Sequence, residues 1–284
     1  SGKVALKTIS VCLIGVGTLA NVFLFFHNVS PILFGPIQML THMILVHLAV
    51  ANSLVLLSTG IPYTMAVFGF KNPLSSLGCK LAYFIHRMAR STSLCSICVL
   101  STYQLVILIS MRSGWVTIRR RASKAIGPSC YTCWMFSVLI NSYIPKEISG
   151  PREMRNDTYT HNNWFCSSLG PTAGIIAFLS AMDVMFIGLV VWASGSMVLL
   201  LRRHHKKVRH IHTPNHSQKC VPETTATHTI QILVVTFVIF YTLDSICIFF
   251  VTIFLDLRVY FIHAAHILDL CFPTVSPFLL IFRD

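Results

Sequence analysis

The chain has 284 residues, of which 54% are hydrophobic and 11% are charged. A soluble domain of ordinary composition carries about 25% charged residues, so this chain has too few charges to cover a water-exposed surface. The formal net charge of +13 lies in short segments between apolar runs, a pattern that indicates membrane topology and not nucleic-acid binding. We therefore expect the lipid bilayer to surround most of the chain.

Seven apolar segments follow one another, and each is long enough to cross a bilayer, which takes about 20 residues of helix. The connections between them are short and are polar or broken by Pro and Gly. Because the segments use nearly the whole chain, the sequence predicts a single domain over residues 1–284, an all-α bundle of seven transmembrane helices. The predicted spans are Thr8–His27, Gln38–Val67, Cys79–Ser110, Ile126–Tyr143, Thr172–Leu201, Thr225–Leu255 and Phe261–Phe282.

Lys and Arg side chains are concentrated in alternate connections between the spans. The most basic stretches are residues 119–121, after the third span, and residues 202–209, after the fifth. Basic loops remain on the cytoplasmic side of a membrane. The distribution therefore predicts an N-terminus outside the cell and a C-terminus in the cytoplasm, which is the topology of a receptor.

Two cysteines lie on the predicted outer side. Cys79 opens the third span and Cys166 belongs to the longest outer connection. Disulfides form and persist in oxidising compartments such as the cell exterior. We expect a Cys79–Cys166 bridge that holds this connection across the end of the bundle.

Some Asn-X-Ser/Thr triplets match the acceptor pattern for N-glycosylation, and two of them lie on opposite predicted sides of the membrane. Asn156-Asp157-Thr158 lies in a predicted outer connection, where the site is usable. Asn28-Val29-Ser30 lies on the predicted cytoplasmic side, where it is silent.

Other Cys and His residues form patterns that also occur in metal sites. The pairs Cys95–Cys98 and Cys130–Cys133 lie inside apolar spans, where we interpret them as small packing residues. The histidines of the stretch 202–212 alternate with Arg and Lys, which repel a divalent cation. We expect no metal and no cofactor, and we interpret this stretch as a basic cytoplasmic surface.

Charged residues inside the membrane are costly and usually functional. The third span contains His86, Arg87 and Arg90, and residues four apart share a helix face. One interpretation is a ligand pocket with polar groups among apolar walls. The other is an ion-pair network that holds helices together. The candidate residues are His86, Arg87, Arg90, Asp183, Asp244, His266 and Asp269.

Short sequence motifs occur in order in six of the seven spans. They are His47–Asn52 with Gly60-Ile61-Pro62, Gly78-Cys79-Lys80 with His86, Arg87 and Arg90, Ile126–Cys130 with Cys133-Trp134, Trp192–Val198, Ala226–Ile230 with Phe240-Tyr241, and Cys271–Phe278. Together these motifs resemble the corresponding helices of type 1 vomeronasal receptors, a family of G-protein-coupled receptors.

The resemblance implies a rhodopsin-like receptor and not an enzyme, in the plasma membrane of vomeronasal sensory neurons. It implies that a pheromone-like small molecule binds in the helix bundle and that the receptor activates a heterotrimeric G protein of the Gi/o type. It also supports the Cys79–Cys166 bridge and a glycan at Asn156. From the basic inner stretches we expect G-protein contacts at Arg119, Arg120, Arg121, Arg203 and Lys206.

Three positions depart from the wider rhodopsin-like pattern. Tyr103-Gln104-Leu105 stands about where an Asp-Arg-Tyr motif is expected, Asn52 replaces an acid that helps to bind sodium, and Ser276-Pro277 replaces Asn-Pro. These substitutions are usual in vomeronasal receptors, and they argue against a sodium switch and an Arg-based lock in this chain.

Two other functions fit parts of the sequence. A transporter or channel would use the buried His, Arg and Asp side chains as a conduction path, although no matching halves of the transporter kind are visible. A bitter-taste receptor is the nearest chemosensory alternative, but the motifs in the second, fifth and seventh spans argue against it.

Overall fold

The computed structural model describes residues 2–34, 39–68, 74–113, 116–149, 161–163, 166–168, 173–210, 221–253 and 258–281. In this part of the chain, seven long helices and one short one account for almost all the secondary structure. The helices are α1 (Gly2–Phe34), α2 (Met39–Val67), α3 (Ser76–Ser113), α4 (Val116–Asn141), α5 (Ile144–Glu147), α6 (Ala173–His210), α7 (Val221–Ile253) and α8 (Arg258–Ile281). Each of the seven predicted spans lies on one long helix to within two residues at either end.

Five of the described segments are long and apolar enough to cross a membrane, judged by length and composition. They are Thr8–Ser30, Thr41–Met65, Ser76–Ser110, Ala181–Leu200 and His263–Ile281. The described apolar stretch of α7, Gln231–Cys247, is shorter. The first turns of α4 carry Arg120, Arg121 and Lys124, which shorten its apolar part. The chain is a helical membrane protein.

Helix α3 is central in the bundle, because it packs against α2, α4 and α6 and also contacts α7. Helix α1 packs against α2 and α8, and α7 packs against α8. The buried side chains where these helices meet include Leu24, Leu48, Leu94, Leu233 and Phe272. These apolar side chains fill the space between the helices without introducing polar atoms that need hydrogen-bond partners.

Helix α8 continues through Pro273 and Pro277. Pro277 has no N–H, so the carbonyl of Pro273, four residues earlier, loses its helical donor. The side chain of Asn21 on α1 replaces that donor, because its Nδ2 donates to the Pro273 oxygen at 2.7 Å. A neighbouring helix thus satisfies the freed carbonyl, which is how a proline is tolerated inside lipid.

A small sheet that was not predicted lies in the connection after α5, whereas the long elements are all helical, as predicted. Its strands are β1 (Ile148–Ser149), β2 (His161–Asn163) and β3 (Cys166–Ser168), and both neighbours of the central β3 run antiparallel to it. Strands of two or three residues are too short to show an alternating apolar pattern, so they cannot be predicted from a local pattern.

Helices α3 and α4 are joined by a disulfide between Cys95 and Cys133. The interpretation of these two residues as small packing residues was therefore wrong. Each C-x-x-C pair places its two cysteines on one face of a helix, because residues three apart share a face. One cysteine of each pair, Cys95 on α3 and Cys133 on α4, forms the bond between the two helices. The other two, Cys98 and Cys130, are free thiols in the core, where the packing interpretation holds.

Gly17 lies at the contact of α1 with α2 and α8. A Cβ at this position would lie 2.6 Å from Thr274 Oγ1, 3.1 Å from Thr274 Cα and 2.9 Å from Leu56 Cδ1. The backbone atom cannot give way without moving α8, so only glycine fits between these helices. Gly15 has no atom of another residue within 4 Å of the same position.

We predict that Gly17→Ala lowers the free energy of unfolding by about 1 to 3 kcal/mol, the usual cost of overpacking. The measurement is thermal unfolding of the purified receptor in detergent. Gly15→Ala is the matched control and should leave the melting temperature unchanged or raise it slightly, because alanine favours the helix. Equal melting temperatures for both variants and the wild type would contradict the packing described at Gly17.

Candidate functional site

The guanidinium of Arg90 lies between two carboxylates in the half of the bundle nearer the small sheet. Its Nη2 donates to Asp244 Oδ2 on α7 at 2.5 Å, and its Nη1 donates to Asp269 Oδ1 on α8. The side chains of Asp244 and Asp269 are only 3% and 11% exposed. The structure therefore forms two of the ion pairs that the sequence suggested, and they join α3, α7 and α8.

Tyr241 belongs to this cluster and was not among the predicted site residues. The Arg90 guanidinium lies over its ring, 4.5 Å from the ring centre. Its hydroxyl is within hydrogen-bonding reach of Asp183 on α6. Tyr241 precedes Asp244 by three residues and so shares its helix face, which is the sequence signal that would have identified it.

His86 extends the cluster toward α2. Its Nε2 is 3.4 Å from Asp269 Oδ2, and its Nδ1 shares a 2.7 Å hydrogen bond with the Thr59 hydroxyl. His266 stacks on the ring of Tyr63 with their centres 4.3 Å apart. Thr59 and Tyr63, four residues apart on α2, were not predicted, since neither carries a charge at neutral pH.

Arg87 differs from Arg90 although both lie on α3 one turn apart. It is half-buried and makes neither an ion pair nor a hydrogen bond with any residue that the structure describes. From the sequence alone, both arginines were equivalent candidates for binding a ligand. The structure separates them, because two carboxylates neutralise Arg90 and none of the described carboxylates pairs with Arg87.

A second polar network lies one turn further along α3 from Arg90. Ser93 donates to Asn52 Oδ1 at 3.0 Å, and Asn52 Nδ2 donates to the Ser276 hydroxyl at 2.9 Å. These three side chains join α2, α3 and α8, and all are buried. Asn52 thus acts as a donor and an acceptor at once, which an aspartate at this position would not do.

A cavity of about 30 Å³ separates the Arg90 cluster from the Asn52 network. Its polar lining includes Asn52, Arg90, Ser93, Asp244 and Asp269. The Nε atom of Arg90 is buried without a hydrogen-bond partner in the described part of the chain. The volume suits one or two water molecules and is too small for an organic ligand.

The other predicted site residues are only partly described. Cys79 is disulfide-bonded, but the side chain of Cys166 in β3 and the whole of Asn156 lie outside the described residues. Arg120 and Arg121 are exposed near the start of α4, whereas the side chains of Arg119, Arg203 and Lys206 lie outside the described part. Within the described residues, no three His, Cys, Asp or Glu side chains are arranged to hold a metal ion.

Comparison with known proteins identifies the family. The model of the vomeronasal organ pheromone receptor family matches residues 4–284. Human vomeronasal type-1 receptor 4 is 37% identical over 276 residues, covering 95% of this chain and 91% of that protein. The chain belongs to the type 1 vomeronasal receptor family. Human vomeronasal type-1 receptor 3 is 35% identical over 98% of this chain and 91% of its own length.

Membership of this family makes the chain a chemosensory G-protein-coupled receptor and not an enzyme. A more distant relative, olfactory receptor class A-like protein 1 of Danio rerio, is 31% identical over 84% of this chain and 76% of its own length. The resemblance inferred from short motifs is thus confirmed. The transporter, channel and bitter-receptor alternatives lose their support, because the match to vomeronasal receptors covers nearly the whole chain.

We predict different outcomes when each of the two arginines is replaced by alanine. Arg90→Ala leaves Asp244 and Asp269 buried without their counter-ion, which costs about 3 to 5 kcal/mol when one partner of a buried pair is removed. Surface expression, measured with an extracellular tag, should fall strongly. Arg87→Ala removes no described ion pair and should keep normal expression. A well-expressed Arg90→Ala variant would show that the cluster does not hold the bundle together.

Proposed function

We propose that this receptor binds a pheromone-like small molecule beside the Arg90 cluster and activates a heterotrimeric G protein of the Gi/o type. The observation that carries the proposal is the set of charged contacts from Arg90 on α3 to Asp244 on α7 and Asp269 on α8. A buried arginine with two carboxylates is stable only in one geometry, so a ligand that disturbs it changes how three helices pack.

The proposed ligand site lies between the Arg90 cluster and the end of the bundle that carries the small sheet. Arg87 and His266 are its most available polar groups, because Arg87 has no described ion pair and His266 Nε2 has no described hydrogen-bond partner. Tyr63 and Tyr241 supply aromatic walls. Few polar groups among apolar walls are typical of small-molecule sites. The proposed contact residues are His86, Arg87, Arg90, Asp183, Asp244, His266 and Asp269.

Activation is proposed as a shift between two packings of the bundle, with the ligand favouring one of them. The pair Arg90–Asp244 couples α3 to α7, so a ligand that moves Arg90 changes the position of α7 relative to α3. The far ends of the helices carry the proposed G-protein contacts at Arg119, Arg120, Arg121, Arg203 and Lys206. Discrete rearrangement of packed helices transmits such a change over tens of ångströms.

The proposal includes the topology. We propose that all seven long helices, α4 and α7 included, cross the plasma membrane of vomeronasal sensory neurons. The N-terminus then lies outside and the C-terminus in the cytoplasm, and a Cys79–Cys166 disulfide holds the outer connection. The basic stretches at residues 119–121 and 202–209 support this orientation.

The proposed function is tested by ligand-dependent signalling in cells that display an N-terminal tag at the surface. The cells co-express either a Gi/o-type or a promiscuous G protein, and the panel contains volatile odorants, steroids and steroid sulfates. We expect a dose-dependent response confined to tagged cells. Coupling through the promiscuous protein alone would contradict the Gi/o assignment, and a ligand-dependent current without any G protein would contradict the receptor mechanism.

Glycosylation tests the orientation independently of any ligand. We predict that an N-glycosidase shifts the electrophoretic mobility of the wild-type receptor and that Asn156→Gln abolishes this shift. Asn28→Gln is the matched control and should leave it intact, because Asn28 is 2% exposed and donates to the Leu24 carbonyl at 2.7 Å. Loss of the shift in Asn28→Gln alone would indicate the opposite orientation.

A further inference from the structure

The exposed face of α4 is apolar toward the C-terminal end of the helix and basic toward the N-terminal end. Toward the C-terminal end it presents Tyr131, Met135 and Leu139, which are 64%, 62% and 67% exposed. Toward the N-terminal end it presents Arg121 and Lys124, both exposed. Because residues three or four apart share a helix face, these five side chains form one stripe, which we call the α4 stripe.

The opposite face of α4 is packed in the protein. Ile126, Cys130 and Cys133 are 2%, 1% and 3% exposed, and Cys133 is bonded to Cys95 on α3. The orientation of α4 about its own axis is therefore fixed by these contacts. The α4 stripe is exposed, although the Tyr131 ring also makes an edge contact with His47 on α2, with ring centres 5.7 Å apart. With α4 across the membrane, the bilayer covers the stripe.

The part of the stripe from Lys124 to Met135 matches one leaflet of a membrane in length. Lys124 and Met135 are separated along the helix by about 16 Å at 1.5 Å per residue. Half of the hydrocarbon core of a bilayer is about 15 Å thick. With Lys124 at the interface between hydrocarbon and head groups, Met135 reaches the middle of the bilayer and Tyr131 lies within the leaflet.

The described part of the protein does not neutralise the positive charge of the stripe. Arg120, Arg121 and Lys124 make no ion pair with any residue that the structure describes. The first turn of α4 contains no acidic residue.

We propose that the α4 stripe binds an anionic phospholipid, with its head group against Arg121 and Lys124 and an acyl chain along Tyr131 and Met135. A soluble partner such as the G protein would meet the basic end alone, whereas a lipid matches both the charge and the apolar length. The proposal rests on the proposed crossing of the bilayer by α4 and does not depend on a ligand or on signalling.

The test is lipid binding to the purified full chain in detergent, followed by native mass spectrometry. The titrated lipids are phosphatidylserine and phosphatidylcholine with the same acyl chains. Each basic residue near a head group contributes about fivefold to the affinity for anionic lipid. We expect tighter binding of phosphatidylserine by the wild type and a loss of about thirtyfold for two such residues in the double variant Arg121→Gln with Lys124→Gln.

Two control variants separate the site from general charge and from misfolding. Lys80→Gln with Lys146→Gln removes the same charge at the start of α3 and in α5, and it should bind phosphatidylserine like the wild type. Arg121→Lys with Lys124→Arg keeps the charge of the stripe and should also keep the binding. An equal loss in the Lys80 and Lys146 variant would overturn the proposal.

The wild type gives two further decisive outcomes. Equal affinities for phosphatidylserine and phosphatidylcholine would overturn the proposal, because the basic end would then have no effect. Glycerophosphoserine, the head group without acyl chains, should bind far more weakly than the lipid. Comparable binding of glycerophosphoserine would identify an anion site that does not use the apolar stripe, and would equally overturn the lipid assignment.

Discussion

A guanidinium inside an apolar helix bundle must be neutralised, and the two carboxylates that neutralise Arg90 come from two other helices. A charged side chain in the centre of a membrane costs about 3 kcal/mol even on scales that allow it to relax. Asp244 and Asp269 would each carry a similar cost alone. The three side chains are therefore stable only together, which fixes α3, α7 and α8 relative to one another and places Tyr241, His86 and Arg87 around them.

The rest of the bundle holds α8 in the place that this cluster needs. Pro277 frees a carbonyl on α8, and Asn21 on α1 satisfies it. Ser276 receives a hydrogen bond from Asn52, which accepts one from Ser93 on α3. The first contact replaces a backbone hydrogen bond, and together the contacts attach α8 to α1, α2 and α3. The helix that carries Asp269 thus contains two prolines and is fixed by polar side chains, a combination that suits an element with two packings.

Much of this arrangement was readable from the residue types. Ionisable groups at membrane depth must find partners, so His86 and Arg90 on one face predicted acids, and Asp244 and Asp269 are the partners. Which acid reaches which base depends on helix rotation and depth, and neither is encoded in a local pattern. The sequence alone therefore could not show that Arg90 and not Arg87 pairs with the described acids. The Cys95–Cys133 bond and the strands β1–β3 were missed for the same reason, because pairing between distant segments leaves no local signal.

The central claim is that the charged contacts of Arg90 with Asp244 and Asp269 are needed for the response to the ligand. It is tested most directly by a triple variant, Arg90→Met with Asp244→Asn and Asp269→Asn, in which every charge of the cluster is removed at once. Apolar or neutral replacements of a whole buried ion network are often tolerated. The account predicts normal surface expression and no ligand-dependent G-protein activation. A triple variant that reaches the surface and still responds with wild-type potency would contradict it.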